Sequence, residues 1–182
     1  MHKIILTLLT LMFFSNNIIA QKINWISLNE ALALQKENPK KIMIDIFTNW
    51  CGPCKLLDKK TFQNKDVATY VNEHYYAVKF NGEGNKTINY QEKTFKNPNY
   101  DASKANSRNS AHQFANYMGI KAYPTIAFLN ETGDFIIPLR GFHGPKQLEF
   151  YLKMFVADKH TELKTQESFD AYYEAFEPKF KS

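Results

Sequence analysis

The sequence is poor in cysteine: its 182 residues hold only Cys51 and Cys54. A small secreted fold built on disulfides normally uses four or more cysteines at wider spacings, and a chain of this length buries enough surface to fold without such a framework. A bridge across two intervening residues closes so small a loop that it constrains the unfolded chain little. The pair is therefore poorly placed as a staple and well placed as a redox pair. Other absences narrow the chemistry further. Lys55 follows Cys54, where covalent haem attachment needs a histidine. Neither a second cysteine pair nor a paired-histidine motif is present to complete the roughly four ligands of a structural zinc site. His74, His112, His143 and His160 are isolated and read as surface or packing residues. No phosphate-binding glycine loop, serine-nucleophile motif or paired-carboxylate spacing stands out. No metal and no cofactor is expected.

Arginine-rich stripes and single-sign charge runs are also lacking. The formal charge of +5 is carried by lysines scattered among acidic residues, which reads as a solvated basic surface rather than a nucleic-acid interface. Long apolar runs are missing after the first twenty residues, so no later segment is expected to cross a membrane. Those twenty differ from the rest: His2 and Lys3 make a short basic start, an almost unbroken apolar run follows from Ile4 to Phe14, and Ser15 to Ala20 lead to a small residue before Gln21. This is the pattern of a secretory signal over 1–20, cut after Ala20, because the run is shorter than the about 20 residues of a spanning helix. The expected destination is periplasmic or secreted, without a stable membrane anchor, in a compartment where paired cysteines become disulfides.

With 44% hydrophobic and 15% aromatic residues, the mature chain has ample material for one core. Ser27-Leu28-Asn29-Glu30 reads as a capping box opening a helix from about 28 to 38, ended by Asn38-Pro39. Ile42 to Phe47 is a nearly continuous apolar run, the pattern of a strand buried on both faces, interrupted by Asp45. Helical composition is seen over 55–62 and again over 66–74, with a break at Gln63-Asn64-Lys65. Tyr75 to Phe80 reads as a second inner strand, and 81 to about 107 as a long loop or small insertion. A helix over 111–118 is expected next. Strands over 125–130 and 135–140 form a hairpin around Glu131-Thr132-Gly133-Asp134, and a helix runs over 145–156 with Pro145 near its start. A last helix near 167–176 completes the chain.

The segment Asp45-Ile46-Phe47-Thr48-Asn49-Trp50-Cys51-Gly52-Pro53-Cys54-Lys55, followed in order by Lys79, Tyr123-Pro124-Thr125 and Gly141, resembles the thioredoxin family over about residues 23 to 157. The resemblance implies an α/β thioredoxin fold, a central mixed β-sheet flanked by helices, occupying 21–160. An insertion at 82–107 precedes the cis-proline segment, and a C-terminal helical extension covers 161–182. A thiolate is the attacking species in disulfide exchange, and a cysteine at a helix start is favoured as thiolate by free amides and the helix dipole. Cys51 is accordingly expected to attack, and Cys54, one turn later and more buried, to resolve the mixed disulfide.

Burial would raise the pKa of Asp45 and suit it to move a proton to or from Cys54, the role the family match favours. A carboxylate at a strand edge facing solvent is the plainer alternative. Lys79 resembles the family's lysine near that aspartate, although a lysine in a half-exposed strand is more often simply solvated. The cis bond at Pro124 is implied by the resemblance. With Tyr123, Trp50, Gly52 and Pro53, Pro124 is expected to shape the surface that meets substrate; Trp50 is otherwise a core-edge aromatic.

Two departures from the family stand out. Lys59 occupies the place, five residues after the second cysteine, where many thioredoxins have a proline, so a straighter helix is expected. The stretch Lys60 to Val67 looks like exported thioredoxin-like domains, including those fused to transmembrane disulfide reductases. The second departure is the insertion, whose Tyr90, Phe95 and Tyr100 either touch substrate or pin the loop to the body, pinning being favoured. The expected function is a monomeric exported protein-disulfide reductase or exchanger acting on disulfide-containing exported proteins and recharged by a membrane thiol-disulfide electron donor. The Gly-Pro dipeptide resembles reducing members, whose potential is about −270 mV. The alternative is a noncatalytic peptide-binding module or chaperone of the same fold.

Overall fold

The computed structural model describes residues 22–182, so the signal expected over 1–20 lies outside the described residues. Strand β1 (Trp25–Ile26) leads to helix α1 (Leu28–Glu37), opened by the Ser27 hydroxyl, which accepts the Glu30 amide at 3.2 Å. Strand β2 (Lys41–Phe47) follows. Because side chains alternate along a strand, its two faces feed two separate cores. Ile42, Ile44 and Ile46 pack with Leu28 and Ala31 of α1, while Met43 packs on the opposite side. The run is apolar on both faces because β2 is central in a five-stranded sheet ordered β1-β3-β2-β6-β7, with β3 (Tyr75–Asn81), β6 (Thr125–Leu129) and β7 (Phe135–Arg140). β1 and β2 run parallel to β3, and β6 runs antiparallel to both β2 and β7. The sheet is mixed, as expected. β1, only two residues long, carries too little pattern to be foreseen.

Helix α2 (Gly52–Leu57) leaves the end of β2 by way of Cys51, and α3 (Lys65–His74) is capped by the Asn64 side chain, which accepts the amides of Asp66 and Val67. Between them the structure corrects the expectation of a regular, straighter helix through 62. Asp58–Phe62 forms a π-helical turn, closed where the Gln63 amide reaches the Asp58 carbonyl at 3.1 Å. The position of the missing family proline is thus taken up by a wider turn, another established way for a helix to change its course. Met43, Leu57, Phe62, Val67 and Val71 form one core with Leu148, Leu152 and Phe155 of α5 (Pro145–Val156).

The stretch expected as a loop contains a hairpin, β4 (Ile88–Tyr90) and β5 (Lys93–Phe95), turned through Gln91 and Glu92 at positive φ. Tyr90 and Phe95 are buried edge-on against Phe114 of α4 (Gln113–Tyr117), the pinning role, whereas Tyr100 is half-buried. α4 starts two residues later than expected because His112 is its cap: Nδ1 accepts the Phe114 amide at 3.0 Å. At the C-terminus, α6 (Gln166–Glu174) lays Phe169, Tyr172 and Tyr173 against Phe150, and the tail returns to bind the buried Glu149 carboxylate through the amides of Lys179 and Phe180.

Candidate active site

The site is built where β2 ends and α2 begins, beside the strands that flank β2. Cys51 is the cap of α2, and its Sγ accepts the Cys54 amide at 3.1 Å, the free helix-start amide that the sequence pattern implied. The two sulfurs are joined as a disulfide. Both cysteines are buried, Cys51 at 2% exposure and Cys54 at 6%, which corrects the expectation that Cys54 would be the more buried of the two. Gly52 and Pro53 are exposed at the turn between them, and Gly52 has open space where a side chain would stand.

Asp45, six residues before Cys51, lies at 2% exposure and not at a solvent-facing edge. Its neighbours across the ladder are Lys79 on β3 and Ile126 on β6. The Lys79 ammonium stands 3.6 Å from Asp45 Oδ2 and makes its direct hydrogen bond to Asp58 Oδ1 instead. Asp45 Oδ1 is buried and has no hydrogen-bond partner. Burial pushes the Asp45 carboxyl up to about 7, with Lys79 pulling down and Asp58 pushing up. Asp45, Cys54, Asp58 and Lys79 line a cavity of about 710 Å³ that also reaches Thr48, Lys55, Lys59 and Asn106. A carboxyl that changes charge near neutrality thus opens onto the same space as the second cysteine.

The Tyr123–Pro124 bond is cis and leads directly into β6, whose Thr125 pairs with Ile46 near the end of β2. The Pro124 carbonyl accepts the amide of Gly141, whose φ of +88° suits glycine. Tyr123 approaches the chain so closely at Gly82 that a Cβ there would meet the phenol at 2.6 Å, so a side chain at position 82 would displace the ring. Trp50 is held from three directions: Nε1 donates to Glu83 Oε2 at 2.7 Å, the ring meets Tyr123 edge-on at 6.3 Å, and the Arg108 guanidinium lies over it at 4.9 Å.

The structure therefore brings together Cys51, Cys54, Asp45, Lys79, Trp50, Gly52, Pro53, Tyr123 and Pro124 around one strand-to-helix junction. Sequence reasoning missed Asp58, Glu83 and Arg108. Asp58 carried a usable signal, since it stands one helical turn beyond Cys54 and shares its side of the helix. Glu83 and Arg108 reach the site only through the course of the insertion, which no local spacing reveals.

The family model of a thioredoxin-like domain matches residues 28–155. No curated protein matches the chain. Among solved structures, a thioredoxin-fold protein from Helicobacter pylori is 22% identical with a TM-score of 0.57, over 75% of this chain and 84% of that one. A thioredoxin from Thermus thermophilus is 13% identical with a TM-score of 0.54, over 74% and 87%. A candidate disulphide-isomerase from Bacteroides thetaiotaomicron is 28% identical with a TM-score of 0.52, over 74% and 93%. With its mixed sheet, its cysteine pair at the start of α2 and a domain match over most of its length, the chain belongs to the thioredoxin-like family of thiol-disulfide oxidoreductases.

Proposed function

We propose that the protein exchanges disulfides in exported proteins through Cys51 and Cys54, chiefly as a reductant. The observation that carries this reading is the shared cavity beside the pair, where the second cysteine and a buried, incompletely bonded Asp45 face the same space. The Cys51 thiolate attacks one sulfur of the substrate disulfide, forming a mixed disulfide and expelling the other sulfur as a thiolate. The Cys54 thiol then gives its proton to Asp45, directly or through water, and attacks Cys51 Sγ. The Cys51–Cys54 disulfide forms, the second substrate thiolate leaves, and two electrons have passed to the substrate.

The resulting disulfide is returned to the dithiol by an external dithiol, assigned here to a membrane electron donor. Trp50, Gly52, Pro53, Tyr123 and Pro124 form the surface on which the substrate segment lies. The signal pattern over 1–20 supports a periplasmic or secreted location. Likeness to the candidate disulphide-isomerase from Bacteroides thetaiotaomicron supports protein disulfides as the substrate class. The test is insulin reduction driven by a chemical dithiol, comparing the wild type with Cys51→Ser. Turnover is expected only in the wild type; equal activity in both sinks the mechanism.

A further inference from the structure

We infer that Arg108, placed where the chain returns from the insertion, is a specificity-determining contact that binds an acidic residue flanking the disulfide of the substrate polypeptide. The inference rests on the exchange reading above and names what that reading leaves open, the chemistry of the preferred substrate. The insertion has two differently built parts. Its hairpin is anchored by Tyr90 and Phe95 in the core around Phe114, while the segment after it is tied by polar contacts and returns to the redox motif. Asn97 holds the return by donating to the carbonyls of Gly84 and Ser110 at 3.0 and 2.8 Å. Asn49, two residues before Cys51, donates to the Ala105 carbonyl at 2.8 Å. Asn109 donates its amide to Glu83 Oε2 at 2.9 Å, the same oxygen that accepts from Trp50.

Arg108 is left as an exposed cation over the ring of the residue that precedes Cys51. Among the described residues it has no carboxylate partner. Glu83, which shares Trp50 with it, spends Oε2 on the indole and on the Asn109 amide. A guanidinium held over a tryptophan ring by its cation–π contact still offers a planar fork of donors, which suits a carboxylate better than the point charge of a lysine would. The neighbouring cavity adds Lys55 and Lys59, while its Asp58 is occupied by Lys79. At the edge of the site that a bound polypeptide would meet, Arg108 therefore presents an exposed cation with no carboxylate in contact, and an acidic side chain is the complement it lacks.

The test uses cystine-bridged model peptides identical but for Glu or Lys beside the half-cystine. The wild type is expected to prefer the Glu peptide in kcat/KM by about five-fold, through KM, at low salt, with the preference fading at high salt. In Arg108→Ala the ratio should fall toward one, and in Arg108→Glu it should invert. A second arm titrates oxidised protein with the same peptides carrying Ser for Cys, following tryptophan fluorescence. Charge-dependent binding lost in both variants supports the inference even if no disulfide is turned over, a result that would overturn only the exchange reading. Turnover or binding that ignores the peptide charge, or a preference retained in Arg108→Glu, overturns the inference and leaves the exchange reading standing.

Discussion

Strand β2 buries two charges four residues apart on the same face, and treats them in opposite ways. Lys41 and Asp45 are each 2% exposed. The Lys41 ammonium meets Glu131 at 2.6 Å and Asp158 at 2.8 Å. Burial alone would lower its pKa, but the bonds from Asp158 and Glu131 outweigh burial and hold it above the usual lysine range. Asp45 has one oxygen without a partner and a lysine that bonds a different acid, and burial carries it to about 7. Depth in the sheet therefore does not separate structure from chemistry. Completeness of partnering does, since a fully paired charge stays in one state while an underpaired one is free to change state near neutral pH.

The largest expected effect is on rate. Asp45→Asn removes the proposed proton acceptor and should slow release of the mixed disulfide by about 10²- to 10⁴-fold near pH 7, read by stopped-flow exchange with a model disulfide. Glu131→Gln combined with Asp158→Asn should leave that rate in place. In stability the two ends should differ in sign. The double neutralisation strands the Lys41 ammonium and should cost about 3–5 kcal/mol in denaturant unfolding; asparagine at 158 tolerates the left-handed backbone found there, φ 53°, so charge and not strain is what changes.

Asp45→Asn should instead stabilise. Because the folded pKa is raised above the unfolded value, the folded state holds the extra proton between about pH 4 and 7, and the burial penalty is fully present only above pH 7. The gain should approach about 4 kcal/mol at pH 8 and vanish below about pH 4, as measured by unfolding at each pH.

A third buried polar group sharpens the comparison. His112 is completely buried and doubly bonded: Nδ1 accepts the Phe114 amide, so the neutral ring carries its proton on Nε2, 2.9 Å from the Lys86 carbonyl. Burial lowers its pKa, partly countered by that carbonyl. The stability it contributes is present above the unfolded pKa, about 6.5, and is lost as pH falls below it. His112→Ala should cost about 2–4 kcal/mol at pH 7 and flatten the loss of stability as pH falls below about 6.5. The smallest effect belongs to Trp50→Phe, which keeps the ring but deletes the donor to Glu83; about 1 kcal/mol in unfolding is expected.

The parts of this arrangement legible in sequence are those carried by local pattern. The apolar run of β2, the cap at Ser27, the turn between β6 and β7 and Pro145 at the start of α5 each announce themselves within a few residues. Asp45 was conspicuous because it broke an apolar run, and Cys51 because it preceded a helix. Lys41 drew no attention, since its partners lie about 90 and 117 residues away along the chain. The hairpin of the insertion turns through Gln91 and Glu92 without the glycine that would mark it, and the π turn at Asp58–Phe62 has the composition of an ordinary helix. Glu83 and Arg108 meet Trp50 only after the insertion has folded, so their contribution to the site is tertiary in origin.

The central claim is that Asp45 shares the chemistry of the cysteine pair, and the titration of its carboxyl carbon by nuclear magnetic resonance, in the oxidised and the reduced protein, tests it most directly. The expected midpoint in the disulfide form is about 7. Reduction should move it, because the reduced pair carries the Cys51 thiolate, a like charge that raises it further, next to the Cys54 thiol on the shared cavity. A midpoint near the ordinary aspartate value of about 4 in both forms, or one indifferent to the redox state of the pair, would contradict the claim.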